Sequence, residues 1–283
     1  MTAAAADAAE AMLSVGIVVY GSDLVLLGRT LDALDRAIAG LDGGCARCRV
    51  WIVDNGPPAY SARLARWLAG RRAAAAAGPE PVVLGGHGNL GYGAGNNLAI
   101  GRTRARYHLV LNPDAELAPD ALRCGIGYLE AHPGVGLVAA ASVGPDGRLA
   151  NLCKTYPSVA ILAVRAMPPA LVRGPLARLR ARYDLAATTD GPLDVTGALV
   201  SGSFMLCRSS ALARIGGFDA RYFLYFEDFD LSLRLARVAR LAWLPGVRLV
   251  HHGGRAASKG WTHRRLFARS ALRFFATHGW RFW

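Results

Sequence analysis

Lysine is almost absent from this 283-residue chain: Lys154 and Lys259 are the only two, and arginine supplies nearly all of the formal net charge of +13. A positive charge of that size ordinarily points to nucleic acid or to an anionic membrane. The arginines are scattered, however, and no base-reading motif accompanies them, which argues against nucleic acid. Also missing is any apolar run of the roughly 18 to 20 residues a membrane span requires. The start, MTAAAADAAEAML, has Asp7 and Glu10 where an export signal would carry basic residues and then an apolar stretch, so a cytoplasmic location is expected. Five cysteines, an odd number in a long chain, suit reduced thiols rather than a disulfide framework. Cys45 and Cys48 form a C-x-x-C, but no second pair or nearby His completes a zinc set. Low complexity is confined to the alanines at 73–77 and the Ala-rich start, and 53% hydrophobic with 19% charged residues excludes long disordered tracts.

What the chain does contain is alternation. LSVGIVVY (13–20), CRVWIVD (48–54), PVVLG (81–85), YHLVLN (107–112) and GLVAAA (136–141) are short β-rich runs bounded by turn residues. Helical patterns near 24–39, 59–70, 92–104 and 119–131 lie between them. Strand and helix in alternation predict an α/β fold with a Rossmann-like, mostly parallel sheet covered by helices on both faces. In such sheets ligands bind beyond the carboxyl ends of the strands. The residues found there are Tyr20-Gly21, Asp54-Asn55-Gly56, the GGHGN of 85–89, and Asn112-Pro113-Asp114, so polar and glycine-rich groups converge on one edge.

GHGNLG (86–91) matches a dinucleotide fingerprint, with Asp114 about twenty residues on. That fingerprint belongs to the first strand–helix junction, whereas this one follows the third strand. The longer GNLGYGAGNNLAIGR reads instead as a loop entering a helix, with Asn89, Asn96 and Asn97 offering amides to a nucleotide or sugar. Segment 142–194, with six prolines, lacks clear periodicity and reads as a lid, an acceptor platform or an interfacial element. VTGALVSGSFMLCR (195–208) reads as one buried strand, SSALARIGGFD (209–219) as a short helix stopped by Gly216-Gly217, and LAWLPGVRLVHHGG (241–254) as a β pair ending in His251-His252.

FLYFEDFDLSLR (223–234) sets three acids among aromatic and aliphatic side chains. From Asp228 onward the pattern is an amphipathic helix with acids in its first turn, where the helix dipole favours them. Adjacent helical side chains diverge by about 100°, so Glu227 and Asp228 face different partners. One orients or anchors, the other meets substrate, and aromatic walls raise the proton affinity of a general base. Arg/Leu/Phe mixtures at 171–183 and 262–275 suit a phospholipid surface.

The ordered set VDNG, GNLGYGAGNN, LVLNPDAEL, SGSFMLCRSSALARIGGFDARYFLYFEDFDLSLRL and VHHGG resembles the inverting family 2 glycosyltransferases of the GT-A fold, most closely their bacterial rhamnosyltransferase-like branch. The resemblance runs over about residues 13–255. It implies a GT-A domain with a nucleotide-binding half (13–141) and an acceptor and catalytic half (142–255), after an N-terminal extension (1–12) and before a basic amphipathic tail (256–283). It further implies a nucleotide-sugar donor, dTDP-rhamnose or a UDP-sugar, a Mg or Mn cofactor, and a lipid-linked or cell-surface polysaccharide acceptor. Asp54 would contact the pyrimidine, with Tyr20, Asn55, Asn89, Gly91, Asn97 and Asn112 in the nucleotide-sugar pocket. Asp114 and His251 would hold the cation. Asn112 replaces the first acid of the family's D-x-D motif. Asp228 would be the general base, with Glu227 beside it. Peripheral attachment to an anionic membrane, on the inner face of the cell membrane, follows from the lipid acceptors common in the family. A UDP-hexose donor and a non-catalytic nucleotide-sugar-binding role stay open as alternatives.

Overall fold

The computed structural model describes residues 11–74, 78–144, 147, 149–150, 152–185, 191–253 and 260–283. Most of the N-terminal extension, the alanines 75–77, Gly254 and the first residues of the C-terminal tail (256–259) lie outside the described residues.

β1 (Leu13–Val19) is buried along its whole length, as a strand covered on both faces must be. β2 (Cys48–Asp54) and β3 (Val82–Leu84) run parallel to it on one flank and β4 (Tyr107–Leu111) on the other. α1 (Leu24–Ala39), α2 (Pro58–Ala74) and α3 (Tyr92–Ile100) make the crossovers. α1 begins where the Asp23 carboxylate accepts the Val25 N–H at 2.7 Å, and it buries Leu27, Leu31, Leu34 and Ile38 along one stripe. α3 seats closely on β1 because Gly16 has no side chain: a Cβ there would stand 3.1 Å from that of Ala99. The helical pattern read to 104 stops at Ile100, where Gly101 ends α3.

The second half is less regular. β5 (Ala115–Leu117), α4 (Ala121–Ala131) and β6 (Val135–Val143) are followed by β7 (Leu149–Ala150), β8 (Cys153–Lys154), α5 (Val159–Ala166), α6 (Pro175–Tyr183) and β9 (Leu193–Asp194). Then come β10 (Leu199–Val200), β11 (Phe204–Arg208), α7 (Ser209–Ile215), α8 (Glu227–Ala236), β12 (Arg240–His251) and α9 (Gly260–His278). The main sheet has the order β3-β2-β1-β4-β11-β6-β12-β5. β3, β2, β1, β4, β6 and β12 run one way and only β11 and β5 oppose them along this path, so the sheet is mostly parallel.

Two expectations change here. The stretch 195–208 is not one strand but β10 and β11, which belong to different sheets. Ser201 and Ser203 divert the chain between them, the Ser203 N–H turning back to Ser201 Oγ at 3.4 Å, and Gly202 sits at the bend. The β pair expected over 241–254 is the single strand β12, whose register slips between Leu244 and Arg248, around Pro245-Gly246, without reversing direction.

α9 packs onto α8. Phe274 and Phe275 are buried with Ala271 against Tyr222 and Phe226, with Tyr225 and Phe229 at the edge. The aromatics around the acidic turn therefore form a hydrophobic cluster with α9. The aromatics expected as walls around a general base thus pack largely against α9, and of this group Phe223 is 39% exposed.

Candidate active site

The carboxyl ends of β1, β2 and β4 and the loop into α3 bring most of the predicted residues to one edge. Because β1 and β2 pair Val19 with Asp54, the next residues, Tyr20 and Asn55, are neighbours. Tyr20 is 62% exposed, while Asp54 is buried and its Oδ1 accepts the Gly56 N–H at 2.8 Å. Asn55 donates through Nδ2 to the Gly91 carbonyl at 2.9 Å, which fastens the glycine-rich loop to the end of β2. Within that loop Asn89 Oδ1 accepts the Gly91 N–H at 3.0 Å. Gly91 has φ of 84°, and a Cβ there would lie 2.1 Å from the Phe223 carbonyl oxygen, so only glycine allows this contact. Asn97 is engaged elsewhere: its Nδ2 donates to the Phe218 carbonyl and its Oδ1 accepts the Phe218 N–H, both at 2.8 Å. Its amide clamps α3 to the segment before α8.

A second group forms where β5 pairs antiparallel with β12, with His251 opposite Ala115. The His252 N–H donates to the Asp114 carbonyl at 3.0 Å, and His252 Nε2 lies 2.6 Å from Glu116 Oε1. His251 Nε2 stands 3.3 Å from Asn112 Nδ2 and 3.3 Å from Asp114 Oδ1. Asp114 Oδ1 is left buried with no hydrogen-bond donor. Gly253 leaves the adjoining space open: a Cβ there would be 2.5 Å from Asp114 Oδ2 and 3.0 Å from His251 Nε2. A buried carboxylate oxygen without a donor, 3.3 Å from an imidazole nitrogen, fits a divalent cation. No group of three or more His, Cys, Asp or Glu gathers among the described residues. Asp114 and His251 would thus need substrate phosphates and water to complete a Mg or Mn shell.

The third group is the acidic turn. Tyr225 and Phe226 both hold left-handed backbone, φ 70° and 65°, immediately before α8. Two consecutive aromatic residues there carry strain of order 1–3 kcal/mol each, which the packing of Phe226 against α9 must sustain. The strained turn delivers Glu227 and Asp228 in different directions. Glu227 is buried, and its Oε2 has no partner. Burial, reinforced by the neighbouring Asp228, holds its carboxyl well above the ordinary range. Asp228 is half-buried. Its Oδ2 accepts the Gly202 N–H at 2.8 Å and its Oδ1 the Phe229 N–H at 2.9 Å. Burial raises its proton affinity, and the two N–H donors oppose that rise. The third acid, Asp230, is fully buried between His278 at 2.8 Å and Arg234 at 2.7 Å, and ties α9 to α8. Its charge is structural.

Two residues that the motifs did not single out connect these groups. The Tyr92 hydroxyl lies 2.9 Å from Asn112 Oδ1 and 2.6 Å from the Gly202 carbonyl. A continuous polar path thus runs from His251 through Asn112, Tyr92 and Gly202 to Asp228. The only signal in the sequence is the aromatic residue inside GYGAGNN. Cys48 of the C-x-x-C is buried, which pushes its thiol up to about 11, and none of the five cysteines forms a disulfide.

An exposed aromatic, a buried carboxylate, the Asp114–His251 corner and an acid of raised proton affinity thus gather at the carboxyl ends of the strands, where ligands bind in such sheets. Residues 14–169, more than half of the chain, match glycosyl transferase family 2, and the chain belongs to that family. The chain is 28% identical over 187 residues to the N-acetylglucosaminyl-diphospho-decaprenol L-rhamnosyltransferase of Mycobacterium tuberculosis, covering 62% of this chain and 59% of that protein. It is 27% identical over 179 residues to the rhamnosyltransferase WbbL of Escherichia coli K12, covering 58% and 62%. The matches thus span about three fifths of the length of these relatives. Among solved structures, the mannosyltransferase PcManGT of Pyrobaculum calidifontis, in complex with GDP-Man and Mn2+, superposes with a TM-score of 0.60 at 16% identity, over 96% of this chain and 65% of that one. GalNAc-T7 with UDP, GalNAc and Mn2+ superposes with a TM-score of 0.65 at 12% identity, over 95% and 48%. The fold is GT-A.

Proposed function

We propose that the protein is an inverting glycosyltransferase that moves L-rhamnose from dTDP-rhamnose to a lipid-linked or cell-surface polysaccharide acceptor, working peripherally at the inner face of the cell membrane. The observation that carries the mechanism is the polar path joining Asp228 to the Asp114–His251 corner. The choice of sugar and acceptor is supported by likeness to the two rhamnosyltransferases, one of them named for a decaprenol-linked acceptor.

Asp54 accepts one backbone N–H through Oδ1, and its other oxygen is available to the ring N–H of a pyrimidine. Tyr20 offers an exposed ring beside it, and Asn89 shapes the adjoining loop. Asp114 and His251, with Asn112 alongside, would hold Mg or Mn, which when bound offsets the negative charge of a diphosphate leaving group. Asp228 takes the proton of the acceptor hydroxyl as the oxygen forms its bond to the anomeric carbon. The bond from that carbon to the diphosphate oxygen breaks from the opposite face, so the configuration inverts. Glu227 is buried with its Oε2 unpartnered, and burial and the neighbouring Asp228 favour its protonated form.

The test is thermal melting with dTDP, UDP, GDP and NADH, each with Mn and with EDTA. Ligand at about a hundred times its dissociation constant adds roughly 2.7 kcal/mol, a readily measured shift. A Mn-dependent shift with dTDP supports the rhamnosyl donor. A shift with UDP alone moves the donor to a UDP-hexose. Donor binding without turnover on a lipid-linked acceptor indicates a binding protein, and no shift with a pyrimidine nucleotide sinks the assembled site.

A further inference from the structure

No Asp or Glu follows Asp230, so every fixed side-chain charge in the remainder of the chain is basic. Much of that charge stands on α9. The helix turns Ser270, Ala271, Phe274 and Phe275 inward, and its opposite side is exposed. Trp261, Arg265, Arg269 and Leu272, spaced i, i+4, i+8 and i+11, run along that exposed side. Trp261 is 72% exposed and Leu272 58%. Arg265, Arg269 and Arg273 also line an open groove of about 680 Å3 with Arg221 and Leu272. Past the helix, Trp280 and Phe282 are exposed as well, and their segment is held because the carbonyls of Arg281 and Phe282 accept the N–H groups of Val159 and Ala160 at 2.8 and 3.1 Å.

We infer that this outward face of α9 is the surface by which the protein docks on an anionic phospholipid bilayer, an inference that deepens the proposed lipid-linked acceptor and rests on that reading. The chemistry on the face is a helix lying in a membrane interface: guanidinium groups at phosphate level, with Trp and Leu reaching between headgroups. Nucleic acid matches the charge, but its recognition rests on phosphate contacts and base stacking on aromatics, which give the exposed aliphatic Leu272 no partner. The opposite side of the same helix braces the acidic turn: Tyr225 meets His263 at 2.9 Å, and Ser270 donates to the Leu224 carbonyl at 2.8 Å. Docking through α9 therefore sets Asp228 at a fixed orientation to the bilayer that carries the acceptor.

The test is flotation of the full chain with vesicles of phosphatidylcholine alone and of phosphatidylcholine with phosphatidylglycerol, at low salt and with a duplex oligonucleotide as competitor. The wild type is expected to float only with the anionic vesicles. Arg265→Ala with Arg269→Ala is expected to weaken that binding by about fivefold per arginine, roughly twenty-five-fold together. Arg265→Lys with Arg269→Lys retains binding, and an unchanged melting temperature shows that both variants are folded. Failure of the wild type to float, equal binding by the alanine variant, or displacement by the oligonucleotide at equimolar charge overturns the inference. The nucleotide-dependent melting shift on the same samples separates the two proposals: a shift without vesicle binding sinks only the docking face. Vesicle binding without a shift sinks only the donor site.

Discussion

Asp114 and His251 meet because β5 and β12 pair, whereas Glu227 and Asp228 stand where they do because two strained residues turn the chain and a helix from its far end holds that turn in place. The first corner is made by sheet register, which fixes side-chain positions with little strain. It leaves Asp114 Oδ1 without a hydrogen-bond partner, as suits a corner proposed to hold a cation. The second is made by packing against strain, and it leaves a carboxyl buried without a partner. A ligand-holding corner can be cheap to build. A base of raised proton affinity cannot, because the low polarity that makes it useful also destabilises its charged form.

The sharpest way to break this comparison is Asp228→Asn. Activity should fall by about 10²- to 10⁴-fold, the usual contribution of a general base, through kcat rather than the donor KM. The Mn-dependent nucleotide shift should persist, because the pairing of β5 with β12 sets the strand-end corner and asparagine can still accept the Gly202 N–H. Loss of both together would mean that the corners are one cooperative unit.

Phe274→Ala probes the brace. Phe274 is fully buried in the α8–α9 cluster, so its truncation should cost about 3–5 kcal/mol, read by denaturant unfolding. Because Phe226 leans on that cluster while in a left-handed conformation, the acidic turn should relax first. Hydrogen exchange at residues 222–230 should rise while exchange in β1 and β4 is unchanged.

The two corners also differed in how far the sequence revealed them. Strand–helix alternation made β1 to β4 and their helices legible, and with them the positions of Tyr20, Asp54, Asn55 and Asn112 at one edge. β5 was not legible, because Ala115-Glu116-Leu117 is too short and mixed to read as a strand, yet it is the element that sets Asp114 against His251. Pro245-Gly246 has the look of a hairpin and is in fact a bulge in one strand. In the acidic stretch the three carboxylates were visible, but not that Asp230 is committed to His278, 48 residues on. An amphipathic pattern says which side of α9 is apolar without saying what covers it. Nothing in Tyr225-Phe226 announces positive φ, since that conformation is imposed by tertiary packing on residues that avoid it.

Glu227→Gln sharpens the same contrast through pH. The folded-state pKa of Glu227 is raised, so over the interval above the ordinary carboxyl value the folded chain keeps a proton that the unfolded chain releases. The group's stabilising contribution is complete below the ordinary value and is lost as pH rises through the raised one. Glutamine cannot ionise, so the variant should be more stable than wild type at pH 8 by on the order of 1–3 kcal/mol. The difference should shrink as pH falls toward the ordinary carboxyl range. A parallel loss of activity would mark the buried charge as a functional strain, and equal pH profiles of stability would remove it as one.

Tyr92→Phe is the mildest change and addresses whether the corners communicate. The hydroxyl shares its proton between Asn112 Oδ1 and the Gly202 carbonyl, and Gly202 in turn donates to Asp228. Removing it leaves the ring and its edge contact with Phe218 in place, so the cost in stability should be near 1 kcal/mol. Without it the Asn112 amide is free to turn, and its Nδ2 no longer has to point at His251. Two outcomes then separate the arrangements. If the path only fills space, kcat and the Mn concentration for half-maximal nucleotide shift change by less than about twofold, matching the small stability loss. If it holds the cation corner in register with the base, the Mn requirement rises severalfold and kcat falls with it, although Tyr92 is assigned neither to the cation nor to the acceptor. The second outcome is expected, because the Tyr92 hydroxyl holds the Asn112 carbonyl and because Gly202, whose carbonyl accepts from the same hydroxyl, donates its N–H to Asp228, the proposed base.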